Sequence, residues 1–212
     1  MVAIDFAALN PHEGYKLLVG TVTPRPIALA TTIDTKGVVN AAPFSFFNAF
    51  SDDPPALAMG VNSNDLQPAK DTARNIRETG EFVVNLVDQA IAPKMNICAI
   101  DFPPDVDELK EAGLTAVPSV KVKPPRIAES PVSFECVRLA TVEIGIGRNL
   151  VLGRVVHMHI RDELIDMTKL HIRTDKLDLI GRMHGRGWYA RTTDLFEMPR
   201  IDYATWLKTK ND

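Results

Sequence analysis

Apolar residues in this chain come in short blocks, several with a period of two, and the blocks are punctuated by Gly, Pro and Asp, the pattern of a chain built mainly from strands and turns. Residues 26–33 read as a strand, and Asp34-Thr35-Lys36-Gly37 supplies the turn of a hairpin into residues 38–42. A second apolar run, 56–61, follows Asp52-Asp53-Pro54-Pro55, whose prolines lack a backbone N–H and mark a loop. A helix is predicted over 72–79, with Asp71 as its N-cap and Gly80 ending it. Residues 81–87 read as the next strand.

The stretch 90–114 is irregular and is read as two short helices, near 92–99 and 106–112, separated by Phe102-Pro103-Pro104. Two long extended runs, 134–146 and 150–160, are joined by Gly147-Arg148-Asn149 as a second hairpin. Residues 181–191 are too rich in glycine for a regular helix and are expected to be a functional loop, with a tail from about residue 200. No repeat or linker divides the chain, so 1–212 is expected to be one domain. Hairpins with helices inserted between them predict a mainly β, antiparallel barrel with added helices.

Composition narrows the function classes. The chain's 24 Lys and Arg against 27 Asp and Glu give a net charge of −3, which argues against a nucleic-acid footprint or an anionic membrane surface. The two cysteines, Cys98 and Cys136, form no metal or disulfide spacing and are expected to be reduced and buried. The start of the chain lacks the pattern of a signal peptide and no run approaches a membrane span, so a cytoplasmic location is expected.

Common catalytic signatures are missing. Gly145-Ile146-Gly147 begins like a dinucleotide fingerprint, lacks the third glycine and sits between strands. There is no phosphate loop, no nucleophile elbow and no His-Glu-x-x-His helix. His157 and His159 alternate onto one strand face, but no third ligand is evident nearby in sequence, so the pair is read as solvated or interface-facing and no metal site is assigned. The carboxylates of 105–111 read as the solvated face of a helix.

Asn40-Ala-Ala-Pro-Phe-Ser-Phe-Phe47, Lys70-Asp-Thr-Ala-Arg-Asn-Ile76 and Gly181-Arg-Met-His-Gly-Arg-Gly-Trp-Tyr189, together with Thr23-Pro-Arg-Pro-Ile-Ala28, resemble the flavin reductase-like, FMN-binding split-barrel family. The resemblance runs from about residue 15 to about 200, and it implies a split β-barrel and FMN as cofactor. It also implies NADH or NADPH as electron donor, a homodimer, and a small-molecule, monooxygenase or other electron-acceptor partner. The family includes flavin reductases, ferric reductases and flavoredoxin-like carriers that are reduced by another protein. An FMN-binding electron carrier and a cofactor-free interaction protein therefore stand as alternatives.

The residues fit a flavin on physical grounds as well. Pro43 breaks the end of a strand, so amides near Asn40, Ala42, Ser45 and Phe46 are freed to face a ring edge; an ordinary turn packed by phenylalanines fits the same residues. Lys70, Asp71 and Thr72 open a helix, where amides and a cation suit a phosphate; a plain helix start is the alternative, and Asp71 is given a structural role first. The resemblance places Lys70, Asp71 and Thr72 around the phosphate with Thr31 or Thr32, and Asn62 is a further polar candidate. His184 is the side chain expected nearest the reacting centre, on a loop that the resemblance places against the neighbouring subunit's flavin. Arg182, Arg186 and Arg191 are candidates for a nucleotide phosphate, or for pairing with Asp194 and Glu197. Arg25, between two prolines, is expected to reach the flavin or nucleotide, or to make a dimer contact.

Overall fold

The computed structural model describes residues 1–63, 70–103, 105–185 and 187–210. Its first helix, α1 (Pro11–Thr21), lies in the opening segment that hydrophobic pattern leaves unassigned. Asn10 and Glu13 form a reciprocal capping box at its start, and of its residues only Val19 is buried, which is why no apolar stripe announces it.

Five strands follow: β1 (Arg25–Pro26), β2 (Ala28–Ile33), β3 (Val39–Phe44), β4 (Phe47–Asp52) and β5 (Pro55–Asn62). Next come α2 (Asp71–Thr79), β6 (Glu81–Leu86), α3 (Ala92–Ile97), α4 (Glu108–Glu111), β7 (Ala116–Val117) and β8 (Arg126–Ile127). The long pair β9 (Val132–Gly145) and β10 (Arg148–Ile160) is followed by β11 (Ile165–Asp166), β12 (His171–Ile172), β13 (Ile180–Arg182), β14 (Tyr189–Arg191) and α5 (Tyr203–Thr209).

Seven strands form one antiparallel sheet in the order β3-β2-β6-β9-β10-β5-β4. Its two edges, β3 and β4, are consecutive in the chain and joined only by Ser45 and Phe46, so the sheet curls back on itself. No ladder joins those edges, and the barrel stays open along this seam. This is the split barrel that the sequence predicts.

Strand alternation sends successive residues to opposite faces, and each face has its own core. Ala28, Ala30, Met59, Phe82, Val84, Cys136 and Val151 fill the barrel, with Ala73 and Ile76 of α2 packed into the same cluster. Gly153 belongs to this face: a Cβ there would lie 2.2 Å from Phe82 Cζ. Leu29, Ala41 and Val87 face the other way, against Ile91, Met95, Leu109 and Ile127 of the segment that covers the outside of the sheet.

Several boundaries differ from the sequence prediction. The long hairpin turns at Ile146-Gly147, with Gly147 at φ +65, and Arg148 and Asn149 already belong to β10. Asp71 is the first residue inside α2 and the N-cap is Lys70, whose side chain makes no capping hydrogen bond. The glycine-rich stretch is not all loop: β13 and β14 pair with each other, and β13 pairs with β1 in a separate three-stranded sheet. No described helix is long and apolar enough to cross a membrane.

Candidate functional site

The end of β3 runs beside the start of α2, and between them opens a cleft of about 470 Å³ lined by Asn40, Ala42, Pro43, Lys70, Asp71 and Thr72 together with Arg74, residues 98–102 and Glu108. Six residues predicted from two distant stretches of sequence therefore meet at one place.

Asn40 is the strut of this cleft. Its Nδ2 donates to Thr72 Oγ1 at 2.9 Å and to Thr32 Oγ1 at 3.3 Å. Asn75 Nδ2 also donates to Thr32 Oγ1, at 3.0 Å. With both Asn40 amide protons spent inside the protein, this side chain offers a ligand its acceptor oxygen. Thr72 is 1% exposed and its hydroxyl accepts from Asn40, which leaves its own proton to donate onward.

Charge in the cleft is arranged by pairing. Asp71 is turned back onto Arg74 one helical turn later, so it is neither the predicted cap nor a bare negative charge facing an anion. Lys70 stands exposed at the mouth. Glu108, read from sequence as part of a solvated face, is instead buried beneath the cleft, where its Oε2 accepts the Ala41 N–H at 2.9 Å. Burial pushes its carboxyl above the ordinary value of 4.5. Asp107, the preceding residue, caps α4 by accepting from the Leu109 and Lys110 amides. Cys98, also in the lining, is buried, and burial pushes its thiol up to about 12. Cys98 and Cys136 are both buried, as expected, and are not bonded to each other.

Ser45 and Phe46, the next two residues beyond β3, line a second opening of about 300 Å³ with Leu18, Val22, Pro24, Arg25 and Phe47. One continuous stretch, from Asn40 to Phe47, thus borders both clefts. Thr32 supports the first cleft from below and is itself fully buried. Thr31 points to the opposite face, where it donates to the Pro125 carbonyl at 2.5 Å, and so is not a member of the site in this chain. Asn62 pairs with Arg148 across β5 and β10 and lines neither cleft.

Arg25 is structural. Its guanidinium donates to the Val19 and Val22 carbonyls, both at 2.6 Å, and to the Met183 carbonyl at 2.8 Å, pinning the end of α1 to the loop between β13 and β14. Burial lowers its pKa. On that loop His184 is exposed and stacked on Trp188, with ring centroids 6.0 Å apart. Arg182 lies over the Tyr189 ring at 4.6 Å, Arg191 is exposed, and Arg186 lies outside the described residues.

Sequence reasoning missed Arg74, Glu108 and the 98–102 wall. Only Arg74 carried a signal: its i,i+3 spacing from Asp71 places the two on one helix face.

The model of the flavin reductase like domain matches residues 19–177. An uncharacterized protein of Deinococcus radiodurans is 42% identical over 207 residues, covering 95% of this chain and 91% of that protein. Among solved structures, the 2-nitrobenzoate 2-nitroreductase NbaA of Pseudomonas fluorescens superposes with a TM-score of 0.88 at 37% identity, covering 95% of this chain and 98% of that one. Nitrilotriacetate monooxygenase component B of Bacillus cereus superposes with a TM-score of 0.88 at 33% identity, covering 93% and 98%.

Proposed function

This chain belongs to the flavin reductase like family, and on that footing we propose that it is an FMN-dependent oxidoreductase using NADH or NADPH as donor. The observation that carries the reading is the meeting of Asn40, Pro43, Lys70 and Thr72 around one cleft at the start of α2.

The fit of FMN rests on the donors present. Lys70 does not cap its own helix, so the first-turn amides of α2, the Lys70 ammonium and the Thr72 hydroxyl form a donor set for a phosphate dianion. Asp71 is paired with Arg74, and Glu108 Oε2 is turned onto the Ala41 amide beneath the cleft. From this anchor the Asn40 to Phe47 stretch leads to the second cleft, whose apolar wall of Leu18, Val22 and Phe46 suits a flat ring. When bound, FMN supplies a two-electron acceptor for a nicotinamide hydride. The residues of this chain bind and orient; none of them is asked to act as a nucleophile.

His184 is proposed to border the reacting centre of a neighbouring subunit in a homodimer. Support comes from the apolar side chains that one chain leaves exposed: Tyr15 and Leu18 on α1, Val22 at its C-cap, and Leu195, Phe196, Met198 and Ile201 in the C-terminal segment. A monooxygenase component or a small organic molecule is the acceptor class that the two solved relatives bring into view.

Anaerobic mixing of FMN-loaded protein with NADH and with NADPH tests the reading. Bleaching of the flavin within seconds is expected with at least one of them. A flavin that stays yellow with both refutes nicotinamide use and leaves an electron carrier, and protein that takes up no FMN refutes the cofactor assignment itself.

A further inference from the structure

Away from both clefts, β9 and β10 bring together three side chains that the flavin reading does not use. His157 stands directly opposite Glu135 in the antiparallel register, and His159 follows two residues on. His159 Nε2 lies 2.6 Å from Glu135 Oε1, and the two imidazole centroids are 4.8 Å apart. One ligand atom from each of the three residues falls within 4.8 Å of the others, and no other group of three His, Cys, Asp or Glu side chains does so among the described residues.

This arrangement depends on a β-bulge. Val151 and Gly153 face the barrel interior, and Val155 pairs with Cys136 on that same face. Uninterrupted alternation would send His157 inward after them. Val156 is an extra residue without a partner, and it swings His157 and His159 to the outer face, where Glu135 lies. Bulges that re-aim side chains in this way cluster at functional sites.

Glu135 is fully buried, and the amides of Val120 and Lys121 close on its carboxylate. Those amides donate to Oε1 at 2.8 Å and Oε2 at 2.6 Å, which fixes the carboxylate in the way that outer-shell partners orient a metal ligand. His157 is half-buried, and His159 borders a cavity of about 490 Å³, so an ion has a path from solvent. The neighbouring guanidinium of Arg161 is already engaged by Asp88 and the Glu129 carbonyl.

We propose that Glu135, His157 and His159 bind one first-row divalent cation of the zinc class, with the fourth position open to water. Two imidazoles and one carboxylate make a donor set suited to such an ion. Binding needs the metal to replace the proton shared by His159 and Glu135, and the ligand atoms to settle about 3.3 Å apart, the edge of a tetrahedron with bonds near 2 Å. The ion would tie the loop carrying Val120 and Lys121 to the long hairpin. The flavin site shares none of these side chains, so the two readings stand or fall separately.

The test is titration of tag-free protein at neutral pH with zinc alone, in competition with a chromophoric chelator, alongside the variants His157→Ala and His159→Ala. One equivalent per chain is expected, weakened by more than about tenfold in each variant, with a zinc-induced rise in Tm that His157→Ala abolishes. Circular dichroism checks that the variants fold. Failure to retain zinc at micromolar concentration overturns the proposal, as does unchanged affinity in both variants. If neither variant folds, cobalt substitution of the wild-type protein decides: intense visible bands of four-coordinate cobalt support the site, and the weak spectrum of six-coordinate cobalt overturns it.

Discussion

Replacing Thr72 by valine removes one hydroxyl while nearly keeping the side-chain shape, and two separate losses follow. Inside the protein, the Asn40 amide loses its acceptor at 2.9 Å and retains only Thr32 at 3.3 Å. Because Thr72 is 1% exposed, water does not take the vacated place, and a buried donor left in this state costs about 1–3 kcal/mol. For a chain of this length that corresponds to a fall in Tm of roughly 2–10 °C. In the cleft, the phosphate loses one hydrogen bond to a charged group, about 1.5–3 kcal/mol, or a roughly 10- to 150-fold increase in the Kd for FMN. Fluorescence quenching titrations of FMN and riboflavin against wild type and Thr72→Val measure this directly. Riboflavin lacks the phosphate, so its affinity should change by less than about threefold. An FMN Kd that does not move, or a riboflavin Kd that moves as far as that of FMN, refutes the phosphate assignment. Lys70→Ala is the companion: its side chain is exposed, so stability should stay within about 0.5 kcal/mol while FMN binding weakens by a similar factor.

Gly153→Ala should destabilise by about 1–3 kcal/mol in urea unfolding, because the new methyl would sit 2.2 Å from Phe82 Cζ and 3.3 Å from Cys136 Cβ, both in the packed interior. Arg25→Met removes three carbonyl partners at once and should cost about 3 kcal/mol, with faster proteolysis in the 183–188 loop that Arg25 holds through Met183. The Glu108 carboxyl has a raised pKa in the folded state, so the folded protein holds this proton more tightly than the unfolded chain does; its contribution is greatest below the ordinary value of 4.5 and is lost as pH rises above it. Glu108→Gln keeps an acceptor for the Ala41 amide and cannot ionise, so its stability should fall less than that of wild type between pH 4 and pH 7 in parallel urea titrations. Cys136, like Cys98, has its thiol pushed by burial up to about 12, so both should resist a thiol reagent at pH 8 and react once urea unfolds the chain.

The strands of the barrel were legible because they are short, largely apolar runs, as in 81–87, and because Gly and Asp mark hairpin turns. The helix start that lines the cleft was legible because Lys70, Asp71 and Thr72 are consecutive and followed by a helical run. What Asn40 does was not. Its partners, Thr32 and Thr72, lie 8 and 32 residues away, and only the folded chain decides that their oxygens consume both amide protons. The contacts of Arg25 were hidden for a related reason: its three acceptors are backbone carbonyls, which leave no mark in sequence. Glu135 was invisible as a partner of the histidines because the pairing depends on a one-residue bulge at Val156, a feature of register and not of composition. Ser45 and Phe46 border a different opening from Pro43, since the chain turns from one sheet edge to the other between them.

These placements divide the cleft into a fixed frame and free groups. Both Asn40 amide protons are taken by Thr32 and Thr72, the Ala41 amide is held by Glu108, and Asp71 is paired with Arg74, so these parts of the wall are set by protein contacts. Lys70 and His184 are exposed and lie outside that network. A frame set before a ligand arrives spares binding the ordering of its walls, which is where preorganised sites gain affinity. It follows that substitutions in the frame move stability and flavin affinity together, as Thr72→Val should, whereas substitutions at Lys70 and His184 move function and leave the fold untouched.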